Sequence, residues 1–335
     1  MWAYILRRLS YTLITLWGLT LVTFVLTRVV PGDPARTAAG PQARQEQVEQ
    51  VRRMYGLDKP LWVQYGIYMR NLLRGDFGKS LWSKRPVIED LKAYFLPTME
   101  LGLTASLIFF CLGVPLGILS AVYRNRPLDH FSRLFALAGV SLPVFIFGLV
   151  LQLIFYKILG WFPAGGRIDP FLSPPRHLTG FYLLDSLITG NWRALASSLH
   201  HIFLPAVTLA YGSLAVVSRM TRASLLEVLG QDYIRTARAK GLAERVVLLR
   251  HALRNAMVPI FTITGLQIGS LLGGVLLVEI IFSWPGLGTY AYTAVTVLDV
   301  NAIMAITLVT GVLYTGVNLL VDLLYTVVDP RIRYR

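Results

Sequence analysis

Six stretches of the 335-residue chain are apolar on every face, at about 9–30, 101–123, 134–159, 203–218, 257–282 and 303–328. Their apolarity is even, without the two-residue alternation of a barrel strand, and most approach the ~20 residues a helix needs to cross a bilayer. A segment in lipid must satisfy its backbone hydrogen bonds internally, which leaves helices as the reading. The pattern predicts an all-α integral membrane protein with six transmembrane helices. Between the first two lies a long polar and aromatic stretch, 31–98, with a polar helix expected over 41–55 and aromatic-rich chain over 62–82. Gly56 suits a helix C-cap and Pro60 disfavours helix at Lys59, so a break is written into that region. The third connection, 160–202, is rich in Pro and Gly. No repeat fuses two six-helix halves, so one chain supplies one half of a pathway.

Composition agrees. Hydrophobic residues make up 55% of the chain and charged ones 15%, where a soluble domain carries roughly a quarter charged; the mean hydropathy is +0.57. The 32 Lys and Arg against 18 Asp and Glu, +14 overall, stand in short groups beside the apolar runs rather than on one basic face, which argues against nucleic acid as a partner. Their placement gives an orientation instead. Basic residues mark the N-terminus (Arg7, Arg8), the second connection (Arg124, Arg126, Arg133), the fourth (Arg219, Arg222 and residues beyond) and the tail (Arg331, Arg333, Arg335), and none falls in 283–302. By the positive-inside rule both termini and these two connections are cytoplasmic, and 31–98 forms a sizeable extracytoplasmic domain. The expected organisation is 1–30 as N-terminal segment and first helix, 31–98 outside, 99–328 as a five-helix core with a cytoplasmic loop at 219–256, and 329–335 as a cytoplasmic tail. The first run is too long for a signal-peptide core and no small-residue cleavage site closes it, so it reads as a retained span. Cys111 stands alone within an apolar run and reads as a small buried residue.

The chemistry concentrates in 233–259. Tyr233-Ile234-Arg235-Thr236-Ala237-Arg238-Ala239-Lys240 predicts a short helix, and Gly241 tolerates the positive φ of a sharp reversal. Small Ala237 and Ala239 permit close docking into a groove on another protein, with Arg235, Arg238 and Lys240 beside them. Beyond the glycine, Leu242, Val246, Leu249 and Leu253 recur at helical spacing as one apolar stripe, with Arg245, Arg250 and Arg254 on the other side. On pattern alone, an amphipathic helix lying on anionic lipid headgroups is the competing reading.

This segment resembles the EAA loop of ABC-importer permeases, through Ala237, Gly241, His251, Asn255 and Pro259, although the Glu-Ala-Ala of the motif reads Arg235-Thr236-Ala237 here. The whole chain resembles the first permease subunit of the dipeptide, oligopeptide and nickel family of ABC importers. The likeness rests on Ile5-Leu6-Arg7-Arg8-Leu9, Arg28-Val29-Val30-Pro31-Gly32-Asp33-Pro34, Tyr55-Gly56-Leu57-Asp58-Lys59-Pro60 with Tyr65, and Gly75-Asp76-Phe77-Gly78-Lys79-Ser80. It continues through Phe162-Pro163 with Gly166-Arg167, His201 with Leu204-Pro205-Ala206, Glu279 to Gly288, and Asp329-Pro330-Arg331-Ile332. The resemblance implies a non-catalytic permease subunit in the bacterial or archaeal cytoplasmic membrane. Its partners would be a homologous second permease in a heterodimer, two ABC ATPase subunits that bind the ATP, an extracytoplasmic substrate-binding protein and membrane lipid. Tyr233, Arg235, Thr236, Ala237, Lys240, Gly241, Leu242, His251 and Asn255 would couple it to the ATPases, and the solute would be a peptide or a related molecule.

Other features are weaker. Gly78-Lys79-Ser80 lacks the glycine of a phosphate-binding loop, since Leu73 stands five residues before Gly78. His200 and His201 diverge on a helix and lack further metal ligands at suitable spacing. Gly265, Gly269 and Gly273 form a small-residue face that suits a permease dimer interface or packing within one subunit. Gln152 and Gln267 could line a path, and Glu279 is an intramembrane acid with a functional or a structural role. A transporter driven by an ion gradient is the alternative function, but it would need central carboxylates or broken helices that the spans scarcely offer. An intramembrane hydrolase would need a constellation such as HExxH or GxSxG, and neither occurs.

Overall fold

The structure is a computed structural model that describes residues 2–29, 34–40, 42–54 and 56–328. In chain order the helices are α1 (Trp2–Val29), α2 (Pro34–Ala39), α3 (Gln45–Met54), α4 (Leu61–Leu73), α5 (Val87–Val122), α6 (Pro127–Ser141), α7 (Val144–Leu151), α8 (Tyr182–Ile188), α9 (Trp192–Leu229), α10 (Asp232–Ala239), α11 (Glu244–Val246), α12 (Leu253–Ile281), α13 (Leu287–Thr296) and α14 (Val300–Val328). Two π-helical segments, Gln152–Ile158 and Val247–Ala252, extend α7 and join α11 to α12. The only β pairing among the described residues is an isolated Lys79–Pro86 bridge. The sequence motifs that include Val30 to Asp33, Tyr55 and Asp329 to Ile332, and the tail arginines, lie outside the described residues.

Among the described residues, five helices are long and apolar enough to cross a membrane: Arg7–Thr27 within α1, Val87–Val122, Trp192–Leu229, Glu244–Leu271 and Val300–Leu320. The sixth expected span, 134–159, is not one helix. Pro127–Ser141 and Val144–Ile158 are bent by 110° at Leu142-Pro143 and count as one span only if broken. Pro143 has no N–H to continue the ladder, and its ring drives the preceding Leu142 to φ −90°, ψ 125°.

The chain gathers into two compact units, residues 1–98 with 285–316, and 99–284 with the chain from 317 onward. In the second unit α9 is the most enclosed helix and touches α6, α7, α8 and α12. Small residues allow this. A Cβ on Gly117 of α5 would stand 2.5 Å from the Ser218 carbonyl oxygen, and one on Gly139 of α6 would stand 2.8 Å from the Ala215 Cβ. Phe109, Ile202, Val217, Ile260 and Phe282 fill the core between the helices. Cys111, by contrast, is exposed on α5 among outward Leu103, Leu107 and Leu112. The expectation of burial fails because the outer face of a span meets lipid and needs no protein core.

Buried ionic groups tie down the turns of this unit. Glu100 and Arg167 pair at 2.5 and 2.9 Å. Arg167 also donates to the Gly180 carbonyl and lies 3.6 Å over the Tyr182 ring, while the second Glu100 oxygen accepts the Leu183 N–H. At the opposite end of α5, Asp129 accepts Arg222 Nε and Nη2 at 2.7 and 2.9 Å, the Ser120 hydroxyl and the Asn125 N–H. In the third connection Asp185 is 1% exposed and accepts the N–H groups of Leu178, Thr179 and Gly180 and the Thr179 hydroxyl. Burial pushes its carboxyl up, but the Thr179 hydroxyl and these amides outweigh it and hold the carboxyl below the usual carboxylate range. A depressed folded value means that the stabilisation is complete above the unfolded pKa and is lost as pH falls through the folded one. Hydrogen exchange at residues 178–181 should therefore accelerate only in strongly acidic buffer, and Asp185→Asn should exchange fast already at neutral pH. Equal protection of both proteins at pH 7 would refute this.

In the first unit, α3 ends as expected. Leu57 N–H bonds the Arg52 carbonyl and Gly56 N–H the Arg53 carbonyl, with Gly56 at φ +63°, a Schellman motif. α4 lies against α1 through the Thr20–Tyr65 hydroxyl pair at 2.9 Å and the Phe24–Tyr65 ring contact. Asp299, fully buried, caps α14 by accepting the Ala302 N–H and also takes the Ser80 hydroxyl and the Leu81 N–H, both at 2.6 Å. Gly78 at φ +76° sits where a Cβ would press on Asn301 Nδ2 at 2.9 Å. The Gly78-Lys79-Ser80 segment, buried at Ser80, thus anchors a helix start.

Candidate functional site

α9 stops at Gly230 and the chain turns into α10, whose first-turn Asp232 complements the helix dipole. One side of α10 faces inward. Ile234 is fully buried and Ala237 nearly so, both in the cluster that holds Leu225, Val247 and Ala252, and α10 rests on the π-helical segment. Tyr233, Arg235, Thr236, Arg238, Ala239 and Lys240 are exposed. The expectation that Ala237 docks outward is therefore corrected: its small side chain lets α10 lie close on its own chain, and Ala239 is the outward alanine.

Gly241 makes the reversal at φ +76° with open space around it. Two polar ties close the turn. Arg238 Nε and Nη2 donate to both Glu244 oxygens at 3.0 and 2.6 Å, a bidentate pair across the glycine. Asn255 Nδ2 donates to the Tyr233 hydroxyl at 2.8 Å and to the His251 carbonyl at 3.1 Å. Tyr233 and Asn255 are thus brought together as a brace between α10 and the start of α12, while His251 contributes its backbone carbonyl. The Arg238–Glu244 pair escaped sequence reasoning; its signal was opposite charges flanking a glycine expected at positive φ.

The apolar stripe needs a larger correction. Leu242, Val246 and Leu249 are exposed, and the buried row is Val247, Ala252, Ala256 and Ile260. In Val247–Ala252 the helix makes a wider turn, with Leu253 N–H bonded to the Leu248 carbonyl five residues back. One surplus residue shifts the helical phase, so residues upstream no longer follow the period read from α12. The outward surface of this loop carries Leu242, Val246 and Leu249 beside Arg235, Lys240, Arg245 and Arg250, apolar and cationic together. Chemically it can receive another protein's apolar groove with acidic or carbonyl edges.

The residues expected at a permease interface or pathway are held mostly by contacts within this chain. Gly265 and Gly269 are buried by this chain, and a Cβ on Gly269 would stand 3.0 Å from the Asn318 side-chain oxygen, so at Gly269 the face meets α14 of the same subunit. Nothing is described of the surroundings of Gly273. Gln152 Nε2 donates to the Ala164 and Ile281 carbonyls, a clasp between the third connection and the end of α12. Gln267 does face a cavity of about 280 Å³ at the Pro143 break, with Thr208, Ser213 and Ser270. Glu279 is fully buried, and its carbonyl accepts the Trp284 N–H. His200 and His201 ring nitrogens bond the Trp161 and Ser197 carbonyls.

Comparison with known proteins agrees with this geometry. Residues 113–334 match the binding-protein-dependent transport system inner membrane component family, and residues 1–90 match the N-terminal part of such membrane components. The chain is 45% identical to the probable D,D-dipeptide transport system permease protein DdpB of Escherichia coli (strain K12), covering 99% of this chain and 97% of that one. It is 43% identical to the dipeptide transport system permease protein DppB of Alkalihalophilus pseudofirmus, covering both in full. The glutathione transport system permease protein GsiC of Escherichia coli (strain K12) is 40% identical over 99% of each chain. With helices of spanning length and a matching core from residue 113 on, the chain belongs to the binding-protein-dependent transport system inner membrane component family.

Proposed function

We propose that this chain is the first of two membrane-spanning permease subunits of an ATP-binding-cassette importer for di- or tripeptide-sized solutes. The single observation that carries the coupling role is the loop at 232–255, seated on its own span by Ile234, Ala237, Val247 and Ala252 and exposing Tyr233, Arg235, Thr236, Lys240 and Leu242. Two ATPase subunits would grip that surface from the cytoplasm and supply all ATP binding and hydrolysis. Their closure would move α10 and, through the Arg238–Glu244 and Tyr233–Asn255 ties, the start of α12, switching the spans between inward-open and outward-open states. In this arrangement both termini lie in the cytoplasm, a homologous second permease completes the pathway, and a substrate-binding protein delivers solute outside. The dipeptide relatives support a peptide as solute, and the glutathione relative a tripeptide-sized upper range.

Affinity purification from mildly solubilised native membranes tests this. The expected result is recovery of a second six-span permease and two ATPase subunits with Walker motifs, together with ATP hydrolysis. A chain that purifies alone and drives solute uptake in vesicles with a proton or sodium gradient would overturn the proposal.

A further inference from the structure

Between α6 and α9 lies a cavity of about 380 Å³ lined by Ser132, Arg133 and Leu137 from one helix and Ser218, Arg219 and Arg222 from the other. Three arginines therefore line one cavity, and two of them, Arg133 and Arg222, stand beside a single carboxylate. Asp129 engages Arg222 in a bidentate pair and stands 3.7 Å from Arg133. Arg219 is exposed and has no ion pair or hydrogen bond among the described residues. Guanidinium forks match phosphate oxygens, and the flanking serine hydroxyls add donors suited to the same oxygens. The outside of the cavity has the opposite character. Phe131, Leu134 and Leu137, three residues apart on one face of α6, are 65%, 68% and 62% exposed.

We infer that this cavity binds the phosphate of an anionic phospholipid headgroup, with the acyl chains lying along Phe131, Leu134 and Leu137. A phosphate-bearing molecule with a hydrocarbon tail uses both the cationic floor and the apolar rim; a soluble phosphate uses only the first. Its position is consistent with this ligand, because α6 and α9 both belong to candidate spans, with Arg133 in the first half of α6 and Arg219 and Arg222 in the last third of α9, the parts nearer the connections that the charge distribution assigns to the cytoplasm. The site goes beyond the permease role and does not depend on the identity of the solute or of the ATPases.

The test uses the assembled complex in bilayer discs that contain trace photoactivatable phosphatidylglycerol or, in parallel, photoactivatable phosphatidylcholine, with cross-linked peptides mapped by mass spectrometry. Phosphatidylglycerol should label 128–137 and 216–222 in preference to phosphatidylcholine. Arg133→Gln with Arg219→Gln should lower that labelling by about fivefold per arginine while labelling along α1 is unchanged. The wild-type comparison of the two lipids stands even if the variant folds poorly. Equal labelling by both lipids, or labelling indifferent to the substitutions, would overturn the inference. Competition by millimolar inorganic phosphate would reassign the cavity to a soluble anion. Labelling seen in the isolated chain but lost in the assembled complex would show that a partner subunit fills it, and would overturn the lipid assignment as well.

Discussion

Replacing Arg167 with methionine is expected to destabilise the protein by about 3–5 kcal/mol, because it leaves the buried Glu100 carboxylate without its counter-ion. The pair is closed to water, with Arg167 9% and Glu100 3% exposed. Arg167 also holds the Gly180 carbonyl and the Tyr182 ring, so its loss releases the third connection from the head of the span. Folded domains typically hold about 5–15 kcal/mol in total, so a loss of this size takes a large share of the stability and should lower the unfolding temperature markedly. Removal of both charges separates the two causes. A Glu100→Met, Arg167→Met protein should recover much of the stability, since a buried ion pair is often worth little beyond an apolar pair of similar volume. Thermal unfolding in detergent, read by the loss of the monodisperse peak, checks both variants. A single variant as stable as the parent would show that water reaches Glu100 and that the pair is peripheral.

Gly241→Val should have the largest effect on transport. A β-branched residue at φ +76° is strained by roughly 1–2 kcal/mol, and no neighbouring atom can relieve it, because the space around Gly241 is already open. The backbone must then leave the left-handed region, which parts Arg238 from Glu244 and turns α10 away from its seat. Uptake should fall by roughly tenfold or more, in line with that strain, while membrane insertion and ATP hydrolysis by the partner subunits persist. Gly241→Asn is the discriminating control, since asparagine tolerates positive φ and should retain most of the uptake. Unchanged uptake in the valine variant would remove this loop from the coupling mechanism.

Much of this was legible in the residues because lipid leaves so few options. Uniformly apolar runs of spanning length can only become helices, and the Schellman end of α3 follows from Gly56 alone. Gly241 likewise announced its reversal. The break at Pro143 was visible in principle, yet it lies inside an uninterrupted apolar run, and hydropathy does not register a missing N–H. The exposed row Leu242, Val246 and Leu249 could not be read correctly, because a period of 3.6 residues assumes an unbroken α-helix and nothing in Val247–Ala252 spells a wider turn. Of the small-residue faces, the intimate approaches to α9 occur at Gly117 and Gly139, and Gly269 serves packing within the chain. The close pairs Glu100–Arg167 and Asp129–Arg222 join residues far apart in sequence, and composition offers no means of matching them.

The wider turn at Val247–Ala252 sets a heading as well as a contact. Each residue of an α-helix advances about 100° around the axis and about 1.5 Å along it. One surplus residue therefore rotates everything upstream, α10 included, by more than a quarter turn while lifting it by little more than an atom's width. The arm that we propose as the coupling element is keyed to its span like a crank to a shaft: the surplus residue scarcely alters its height, and decides the direction in which it points.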